Sequence, residues 1–236
     1  LVYANTHLIP PDEAFNYENW GREGWKNRLM PYYQLARKML GTTPAKTLGK
    51  SDYILKECAE AMGKGETFYN VDVGIYFSNK NGWNDDPYFN GDGPKRKGCI
   101  HCGECMVGCR HDAKNTLDKN YLYLAEALGV NIISEMDVCD IKKTDKGYSV
   151  SAKKSTGLIH PKTEFQSSKV VVSGGVMGSV KLLMECKRKG SLPNLSSQLG
   201  NFVRSNSEAI LGVKTPKPDS ELASGIAISA GFHPNE

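Results

Sequence analysis

The sequence predicts an α/β fold with α+β elements, and two stretches carry this prediction. In residues 138–173, three runs of alternating apolar residues separated by turn formers predict an antiparallel β-meander. The apolar run that ends this region is followed at once by a glycine turn and an amphipathic helix. Such a strand–turn–helix unit exposes the N–H groups of its helix N-terminus to an anion or a nucleotide. Strands are expected at 138–142, 148–153 and 165–173, with a further short one at 130–133.

The first hundred residues predict helices and a long loop. Apolar residues at helical spacing favour one helix within 25–40, where Pro31 is expected to cause a break or kink. A second helix is expected to begin at Ser51 or Asp52 and to end at Gly63. Residues 66–98 are rich in Asn, Asp, Gly and Pro, with a short alternating apolar run near their start, and predict a long ordered loop.

Composition describes an ordinary globular chain of 236 residues, 39% hydrophobic and 24% charged, long enough for one large domain or two small ones. The net charge of +4 is small and dispersed, so no nucleic-acid partner is predicted. No apolar run has the length of a membrane span. Seven cysteines, an odd number bunched in one place, favour a reducing compartment or a metal site over a disulfide framework. We therefore expect a soluble cytoplasmic protein.

Four cysteines form the densest cluster of reactive side chains: Cys99, Cys102, Cys105 and Cys109. Their spacing, C-x2-C-x2-C-x3-C, is the run with which bacterial-type ferredoxins bind iron–sulfur clusters. Arg110 replaces the proline of that run, and no second motif is present. Zinc and a loop of reduced, partly buried thiols are the alternatives.

A capped helix is predicted directly after the cysteines. Asn115 or Thr116 is a favourable N-cap, and Asp118 in the first turn suits the helix dipole. Apolar residues then recur at helical spacing over 117–128, and Gly129 ends the helix.

The segment Cys-Arg-His-Asp-Ala-Lys-Asn-Thr-Leu-Asp-Lys-Asn-Tyr-Leu, residues 109–122, resembles the GAKNSLDxxYL segment of the glucose–methanol–choline (GMC) flavin oxidoreductases. It is most similar to the cholesterol-oxidase-like branch, some actinobacterial members of which carry a similar cysteine cluster. The resemblance extends over nearly the whole chain. It implies part of an FAD-binding Rossmann-like domain with a β-meander, together with substrate-domain helices. A separate branch of sugar dehydrogenases holds a three-iron cluster on C-x5-C-x3-C, which Cys99, Cys105 and Cys109 reproduce, with Cys102 as an extra thiol.

Within this resemblance, several residues are expected to contact FAD. The start of the chain corresponds to the end of a glycine-rich segment that lies against the isoalloxazine ring. The backbone of residue 138 corresponds to a position that contacts the adenine. The glycine turn corresponds to the end of the last parallel strand, which lies near the nucleotide. The cofactor-binding residues are therefore expected to be Val2, Tyr3, Ala4, Asn5, Val138, Ser173, Gly174 and Gly175. The family's catalytic His lies near its C-terminus, and none of the five histidines here has that context, so no catalytic residue is assigned.

The family's N-terminal G-x-G-x-x-G is absent and the chain opens without Met, so we expect a piece of a longer protein. The resemblance divides the chain into five parts. They are a flavin-proximal strand at 1–11, substrate-domain helices and a long loop at 12–98, the cysteine loop and helix at 99–128, the meander and βα unit at 129–205, and the start of a substrate-domain sheet at 206–236.

The implied function is FAD-dependent oxidation of an alcohol, a sterol or another apolar one, by hydride transfer to flavin. The partners would be a small-molecule alcohol, the remainder of the same protein, and oxygen or a redox protein as electron acceptor. A cluster on the cysteines would carry electrons from the flavin to an external acceptor and would favour a dehydrogenase over an oxidase. The alternatives are a ferredoxin-like iron–sulfur electron carrier and a noncatalytic scaffold derived from the GMC family.

Overall fold

The structure is a computed structural model that describes residues 7–16, 23–204, 209 and 211–235. It contains two compact units. The first unit comprises Leu1–Val130 with Lys214–Glu236, and the second comprises Asn131–Val213. The mixture of helices and small sheets confirms the predicted α/β fold class with α+β elements. In the described part of the chain, no helix is both long and apolar enough to cross a bilayer.

The described residues form α-helices and β-strands. The helices are α1 (Asp12–Phe15), α2 (Trp25–Leu40), α3 (Lys50–Ala61), α4 (Tyr121–Ala127) and α5 (Gly175–Lys189). The strands are β1 (Thr43–Pro44), β2 (Tyr69–Asn70), β3 (Asp72–Val73), β4 (Trp83–Asn84), β5 (Arg96–Lys97), β6 (Met136–Thr144), β7 (Gly147–Lys154), β8 (Lys162–Ser167) and β9 (Ala230–Gly231). In the first unit the antiparallel pairs are β1–β3, β2–β9 and β4–β5, and in the second β6, β7 and β8 form one sheet in that order.

Helix α2 continues through Pro31, so the break predicted there does not occur. A proline removes the N–H that would bond the carbonyl four residues earlier, which is that of Asn27. Both residues are exposed, so water can satisfy this carbonyl. The helix ends at Gly41, which adopts the left-handed conformation that closes many helices.

Helix α3 begins at Lys50, and Asp52 in its first turn acts as its cap. The Asp52 carboxylate accepts a hydrogen bond from the Gly49 N–H at 2.7 Å and another from the Ser229 hydroxyl at 2.6 Å. Asp52 and Ser229 are both buried, so this pair connects the start of α3 to the chain just before β9. Gly63 follows the helix with positive φ, as the sequence predicted.

The core of the first unit is built on the alternating run that the sequence placed near residue 71. Val71, Val73 and Ile75 are each less than 5% exposed. They pack with Ala45, Cys105 and Ala113 in one hydrophobic cluster. One cysteine of the predicted metal motif therefore belongs to the core, and the loop that carries it is an integral part of the fold.

The helix after the cysteines begins later than predicted. Residues Leu117–Lys119 form a 3₁₀ turn, and α4 starts at Tyr121, whose N–H bonds the Asn120 side chain. Asn115 does not cap a helix, because its buried side-chain amide donates to the Leu40 carbonyl at 2.8 Å. Gly129 has positive φ just past the helix, as expected.

The second unit confirms the meander but not its full extent. Strands β6 and β7 match their predicted positions, whereas β8 ends at Ser167 and the run 170–173 is not in a strand. Residues 130–133, which were also expected to form a strand, are not in one either. A strand requires a neighbour for its N–H and C=O groups, and both runs lack one within the described chain. Accordingly, Val171 is 87% exposed.

Helix α5 packs on the meander through a buried thiol. The N–H of Ile141 on β6 donates to the Sγ of Cys186 on α5 at 3.3 Å. Ile141, Ala152 and Cys186 are the buried hydrophobic residues of this unit within the described chain. The helix and the sheet therefore share one small core, which fixes the C-terminal part of α5 relative to β6.

Arg96 braces the cysteine loop from inside the first unit. The residue is 1% exposed, and its guanidinium donates to the carbonyls of Asp112 at 2.7 Å and Lys114 at 3.0 Å. It also lies 5.7 Å from the centroid of the Tyr88 ring. Arg96 precedes the four cysteines and both carbonyls follow them, so one side chain joins the two ends of the loop.

Replacing Arg96 with Met is expected to destabilise the first unit by about 2–4 kcal/mol, because two buried carbonyls lose their donors. Thermal unfolding of the variant and of the natural protein measures the difference in stability, and limited proteolysis shows whether the cysteine loop of the variant opens. The matched control is Arg110→Met in the same loop, since the Arg110 guanidinium is exposed and lies 3.6 Å from Glu104. The control should change stability by less than about 1 kcal/mol. Equal losses for the two variants would refute the bracing role.

Candidate functional site

A cleft of about 300 Å³ lies in the second unit between the meander and the start of α5. We call it the glycine-turn cleft. Its size is at the lower end of the range of small-molecule sites. Residues that line it include Val138, Val150, Val172, Ser173, Gly174 and Gly178. The walls are mainly apolar, and the polar side chains that line the cleft are Ser173 and Ser179 at the turn and Asp137 on β6.

The glycine turn is tight at one position and open at another. A Cβ at Gly174 would approach the backbone N of Ser179 at 3.2 Å and the Ser179 hydroxyl at 3.4 Å. Gly175 has a φ of +70°, which a side chain would strain. A Cβ at Gly178 would meet no atom within 4 Å, although the residue lines the cleft. The turn thus leaves space in front of the helix that a bulky side chain at 178 would enter.

The N-terminus of α5 is uncapped by any side chain, since its N-cap is Gly174. The first N–H groups of a helix have no partner within the helix, and they carry the positive end of its dipole. Next to an apolar cleft, these groups are suited to bind the polar or anionic part of a nucleotide.

Val138 is held at the opposite wall by an irregularity in the sheet. The register of β6 against β7 shifts between Val138 and Asp140, which leaves Cys139 in a bulge. The Cys139 carbonyl accepts from the Lys189 ammonium at 2.9 Å, and the Asp140 carboxylate accepts from the Ser191 hydroxyl at 2.8 Å. These bonds fix the bulge, and bulges commonly redirect a strand beside a site.

The structure therefore brings together three of the residues expected at the nucleotide: Val138, Ser173 and Gly174 line one cleft. Gly175, the fourth residue expected there, is the first residue of α5 and is not among those that line the cleft. The residues expected against the flavin ring, namely Val2, Tyr3, Ala4 and Asn5, lie outside the described residues.

Several other lining residues were not among those expected to contact FAD, and Val150, Gly178 and Leu182 are three of them. Val150 pairs with Ile141 across the β6–β7 ladder, so its place in the alternating pattern indicates the inward face. Gly178 and Leu182 lie one helical turn apart on α5 and share a face. A helical-wheel reading of α5 together with the strand alternation would have found all three.

The four cysteines of the sequence motif converge in the first unit. Cys99, Cys102, Cys105 and Cys109 line one cavity, together with Ile75, Ala113 and Lys114 among others. We call it the cysteine pocket. The free space between the side chains is about 10 Å³, room for at most one water molecule. All four thiols are free.

Burial in the cysteine pocket favours the neutral form of the Cys99 thiol. Burial raises the pKa of the Cys99 thiol, and negative charge on Cys105 or Cys109 raises it further. The His101 N–H opposes this shift by donating to the Cys99 sulfur at 3.4 Å. A buried cation also borders the pocket, because the Lys114 ammonium donates to the Cys105 carbonyl at 2.9 Å. A metal centre that replaced the thiol protons would relieve the charge repulsion among thiolates.

Within the described residues, no three Cys, His, Asp or Glu side chains are arranged around a single metal ion. A tetrahedral zinc site holds every sulfur at about 2.3 Å from one ion. In an iron–sulfur cluster each thiolate binds a different iron, so its sulfurs stand farther apart. The described residues therefore give no direct support to a zinc site.

Two histidines of the first unit make aromatic contacts. His101 stacks on Phe77 with ring centroids 5.7 Å apart, and His233 stacks on Tyr69 at 5.2 Å. The His233 N–H also donates to the Thr67 hydroxyl at 3.0 Å. These contacts give both side chains packing roles.

The glycines of the cysteine loop provide a test of how tightly it is packed. A Cβ at Gly103 would collide with the carbonyl oxygen of Ala223, whereas one at Gly108 would meet nothing within 4 Å, and both residues have positive φ. Gly108→Ala should cost about 1–3 kcal/mol through backbone strain alone. Gly103→Ala should cost a further 1–3 kcal/mol, roughly, through overpacking. Thermal unfolding of the two variants measures the difference, and equal values would contradict the close approach.

Comparison with known proteins identifies the family. The GMC oxidoreductase family model matches residues 93–190, which contain the cysteine loop, α4, the meander and α5. The chain is 40% identical over 245 aligned residues to a cholesterol oxidase of Acinetobacter baumannii, an alignment that covers 99% of this chain and 44% of that protein. It is also 40% identical to a cholesterol oxidase of Mycobacterium tuberculosis, with 99% and 42% covered. The chain thus spans less than half the length of these relatives. It belongs to the GMC oxidoreductase family, in the branch that resembles cholesterol oxidases.

Proposed function

We propose that the protein is an FAD-dependent oxidoreductase that oxidises the CH–OH group of an apolar alcohol, such as a sterol, by hydride transfer to the flavin. The observation that carries the proposal is the glycine-turn cleft, in which Val138, Ser173 and Gly174 come together as the GMC resemblance requires. The two relatives named above are cholesterol oxidases, which supports a sterol as the substrate class.

In this proposal the glycine-turn cleft holds the adenosine part of FAD. The valine side chains of β6, β7 and the run 170–172 cover the faces of the adenine ring with apolar surface. The backbone of Val138 lies beside the ring edge, where peptide groups can recognise its nitrogens. The N–H groups at the start of α5 bind the polar part of the nucleotide, and Gly174 leaves them accessible because it has no side chain.

The flavin, when bound, accepts the hydride of the alcohol carbon, and the protein orients the two reactants. This chain contributes the nucleotide cleft, and its helices α2 and α3 belong to the region proposed as substrate cover. We assign no catalytic base to the chain. The base and the rest of the flavin crevice are proposed to come from other parts of the natural protein. Residues 1–11 of this chain are proposed to contact the flavin ring.

The cysteine pocket is proposed to hold an iron–sulfur cluster on Cys99, Cys102, Cys105 and Cys109. The convergence of all four residues on one cavity supports this second cofactor. The electron acceptor would then be a redox protein, whereas dioxygen suits a protein without a cluster. A reducing compartment such as the cytoplasm suits the free thiols.

The ferredoxin-like carrier is the second candidate function, and the cysteine pocket is the observation that favours it. It leaves the glycine-turn cleft and the similarity along nearly the whole chain without a role. A noncatalytic scaffold would keep the fold but would not need a cleft that admits a nucleotide.

The first test uses the natural protein purified without oxygen. We expect a yellow protein with about one FAD per chain, whose flavin absorption is bleached by cholesterol or a related sterol and returns when an oxidant is added. A colourless protein that does not take up added FAD would refute the proposal. A protein that contains FAD but whose flavin absorption is not bleached by any apolar alcohol would refute the proposed substrate class and leave the cofactor proposal standing.

The second test fills the glycine-turn cleft. Gly178→Phe should weaken FAD binding at least tenfold, or about 1.4 kcal/mol, because the side chain enters the space proposed for the adenosine. Gly178→Ala is the matched control, since a Cβ there meets no atom within 4 Å and Ala favours helix. Titration of the FAD-free protein with FAD measures both dissociation constants. Unchanged binding by the Phe variant, with native thermal stability, would exclude this cleft as the adenosine site.

A further inference from the structure

An open cleft of about 520 Å³ lies in the first unit, at the C-terminal end of α2. We call it the basic cleft. Its volume is within the range of sites that bind small molecules. The cleft combines cationic side chains with aromatic rings, and the residues of these two kinds that line it are Arg37, Lys38, Lys46, Tyr76, Phe77 and Tyr88. Among the described residues that line it, none carries a carboxylate.

The positive charge of the basic cleft is only partly neutralised by the protein. Arg37 forms an ion pair with Asp72, in which Nη1 lies 2.6 Å from Oδ2, and this pair holds the guanidinium in place. Lys38 and Lys46 have no carboxylate partner within the described chain. The Lys46 ammonium lies 5.9 Å from the centroid of the Phe77 ring. Two cations that line one cleft without a counter-ion attract an anion into it.

The end of α2 does not account for these cations. Lysine and arginine side chains in the last turn of a helix often bind its final carbonyls. Here the Arg37 carbonyl accepts the Thr42 N–H at 3.0 Å, and the Leu40 carbonyl accepts the Asn115 side-chain amide at 2.8 Å. Lys46 lies beyond the helix altogether. The positive charge of the cleft is therefore available to a ligand.

Thr42 contributes an unsatisfied hydrogen-bond donor. The residue lines the cleft, and its hydroxyl is buried and has no hydrogen-bond partner in the part of the chain that the structure describes. A buried hydroxyl without a partner destabilises the folded state. Rotation about the Cα–Cβ bond redirects a threonine hydroxyl, so an anionic oxygen in the cleft can accept its hydrogen bond.

Aromatic rings form the apolar part of the basic cleft. Tyr76 and Tyr88 meet edge to face, with ring centroids 5.9 Å apart and an interplanar angle of 74°. Tyr76, Phe77 and Tyr88 are half-buried, so part of each side chain remains uncovered. Gly41 allows Tyr88 to lie against the end of α2, because a Cβ at Gly41 would collide with the Tyr88 ring. Partly uncovered rings of this kind pack against flat ligands.

We propose that the basic cleft binds a flat aromatic molecule that carries a carboxylate or a phosphate. The anionic group lies among Arg37, Lys38 and Lys46 and accepts the Thr42 hydroxyl, while the ring lies against the aromatic residues. A guanidinium has five N–H donors in one plane, so Arg37 can bind Asp72 and still donate to the ligand. The basic cleft shares no lining residue with the glycine-turn cleft, and the inference does not depend on the proposed function.

The test uses the natural protein saturated with FAD, so that the proposed nucleotide site is filled. Isothermal titration calorimetry compares naphthoate, naphthyl phosphate and the uncharged naphthamide. We expect at least one of the two anions to bind with a Kd below about 1 mM, and about tenfold or more tighter than naphthamide. The anion that binds more tightly identifies the head group. Added salt should weaken its binding, because the cations are exposed.

Two variants test the residues assigned to the anion. Lys46→Met should weaken binding of the tighter anion by about fivefold or more and leave naphthamide unchanged. Thr42→Val should weaken binding of the same anion, and without ligand it should keep or raise the melting temperature, because the unpaired hydroxyl is removed. The matched control is Lys56→Met, which removes the same charge at an exposed site on α3, where Lys56 lies 3.8 Å from Glu60. The control should bind both anions as the wild type does.

The outcomes separate this inference from the proposed function. Equal affinities for the anions and naphthamide, or equal losses in Lys46→Met and Lys56→Met, would refute an anion site in the basic cleft. Failure of both anions to bind a protein with native thermal stability would refute it as well. Protein that takes up no FAD is titrated as purified, and the same comparison of variants applies. FAD content and bleaching by an alcohol, measured on the same preparation, report on the proposed function alone.

Discussion

The arrangement of the cysteine loop depends on the two hydrogen bonds that Arg96 makes with the carbonyls of Asp112 and Lys114. A loop of this length loses considerable conformational entropy when its ends are joined. A buried guanidinium offers several donors in a fixed plane, so one side chain can fix both the distance and the orientation of the segment 112–114 that follows the cysteines. The carbonyls it bonds flank Ala113, which packs in the same core as Cys105. The geometry of the thiols is thus set by a group that is not itself a ligand.

In both candidate sites, glycine occurs where a side chain would collide with a neighbouring segment or enter the cleft. At Gly103 a Cβ would meet the carbonyl of Ala223 and separate the cysteine loop from residue 225. At Gly174 and Gly178 the absence of side chains leaves the start of α5 open toward the valine walls. Glycine loses more conformational entropy on folding than other residues do, which destabilises the folded state. At these points that loss is offset by the close contact or open space that only glycine allows. The same principle thus shapes the cysteine pocket in one unit and the glycine-turn cleft in the other.

Local patterns in the sequence predicted the elements whose partners are nearby in the chain. The β6–β7 hairpin was predicted closely because alternation and a tight turn at Asp145–Gly147 are local signals. The run 170–173 has the composition of a buried strand, yet no ladder partner within the described chain. The N-cap of the helix after the cysteines was misplaced because Asn115 bonds the Leu40 carbonyl, a contact that spans 75 positions. Helix-capping propensity depends on neighbouring residues, so it does not predict a hydrogen bond between residues 75 positions apart.

The candidate sites show the same division. The resemblance predicted Val138, Ser173 and Gly174, because a family motif carries long-range information that a single sequence does not. The cysteine motif predicted which residues converge, but spacing alone treats the four thiols alike. Their inequality depends on burial against Val71–Ile75 and on bonds from His101 and Lys114, which are tertiary features. The residues that converge are therefore readable from sequence, whereas the burial of each thiol is not.

The two proposed cofactors also set a constraint on how electrons leave the protein. A reduced flavin carries two electrons, while an iron–sulfur cluster accepts one at a time. In the proposed function, a cluster in the cysteine pocket would divide the two electrons of the flavin into single transfers to a redox protein. A protein without a cluster would instead pass both electrons from the flavin to dioxygen.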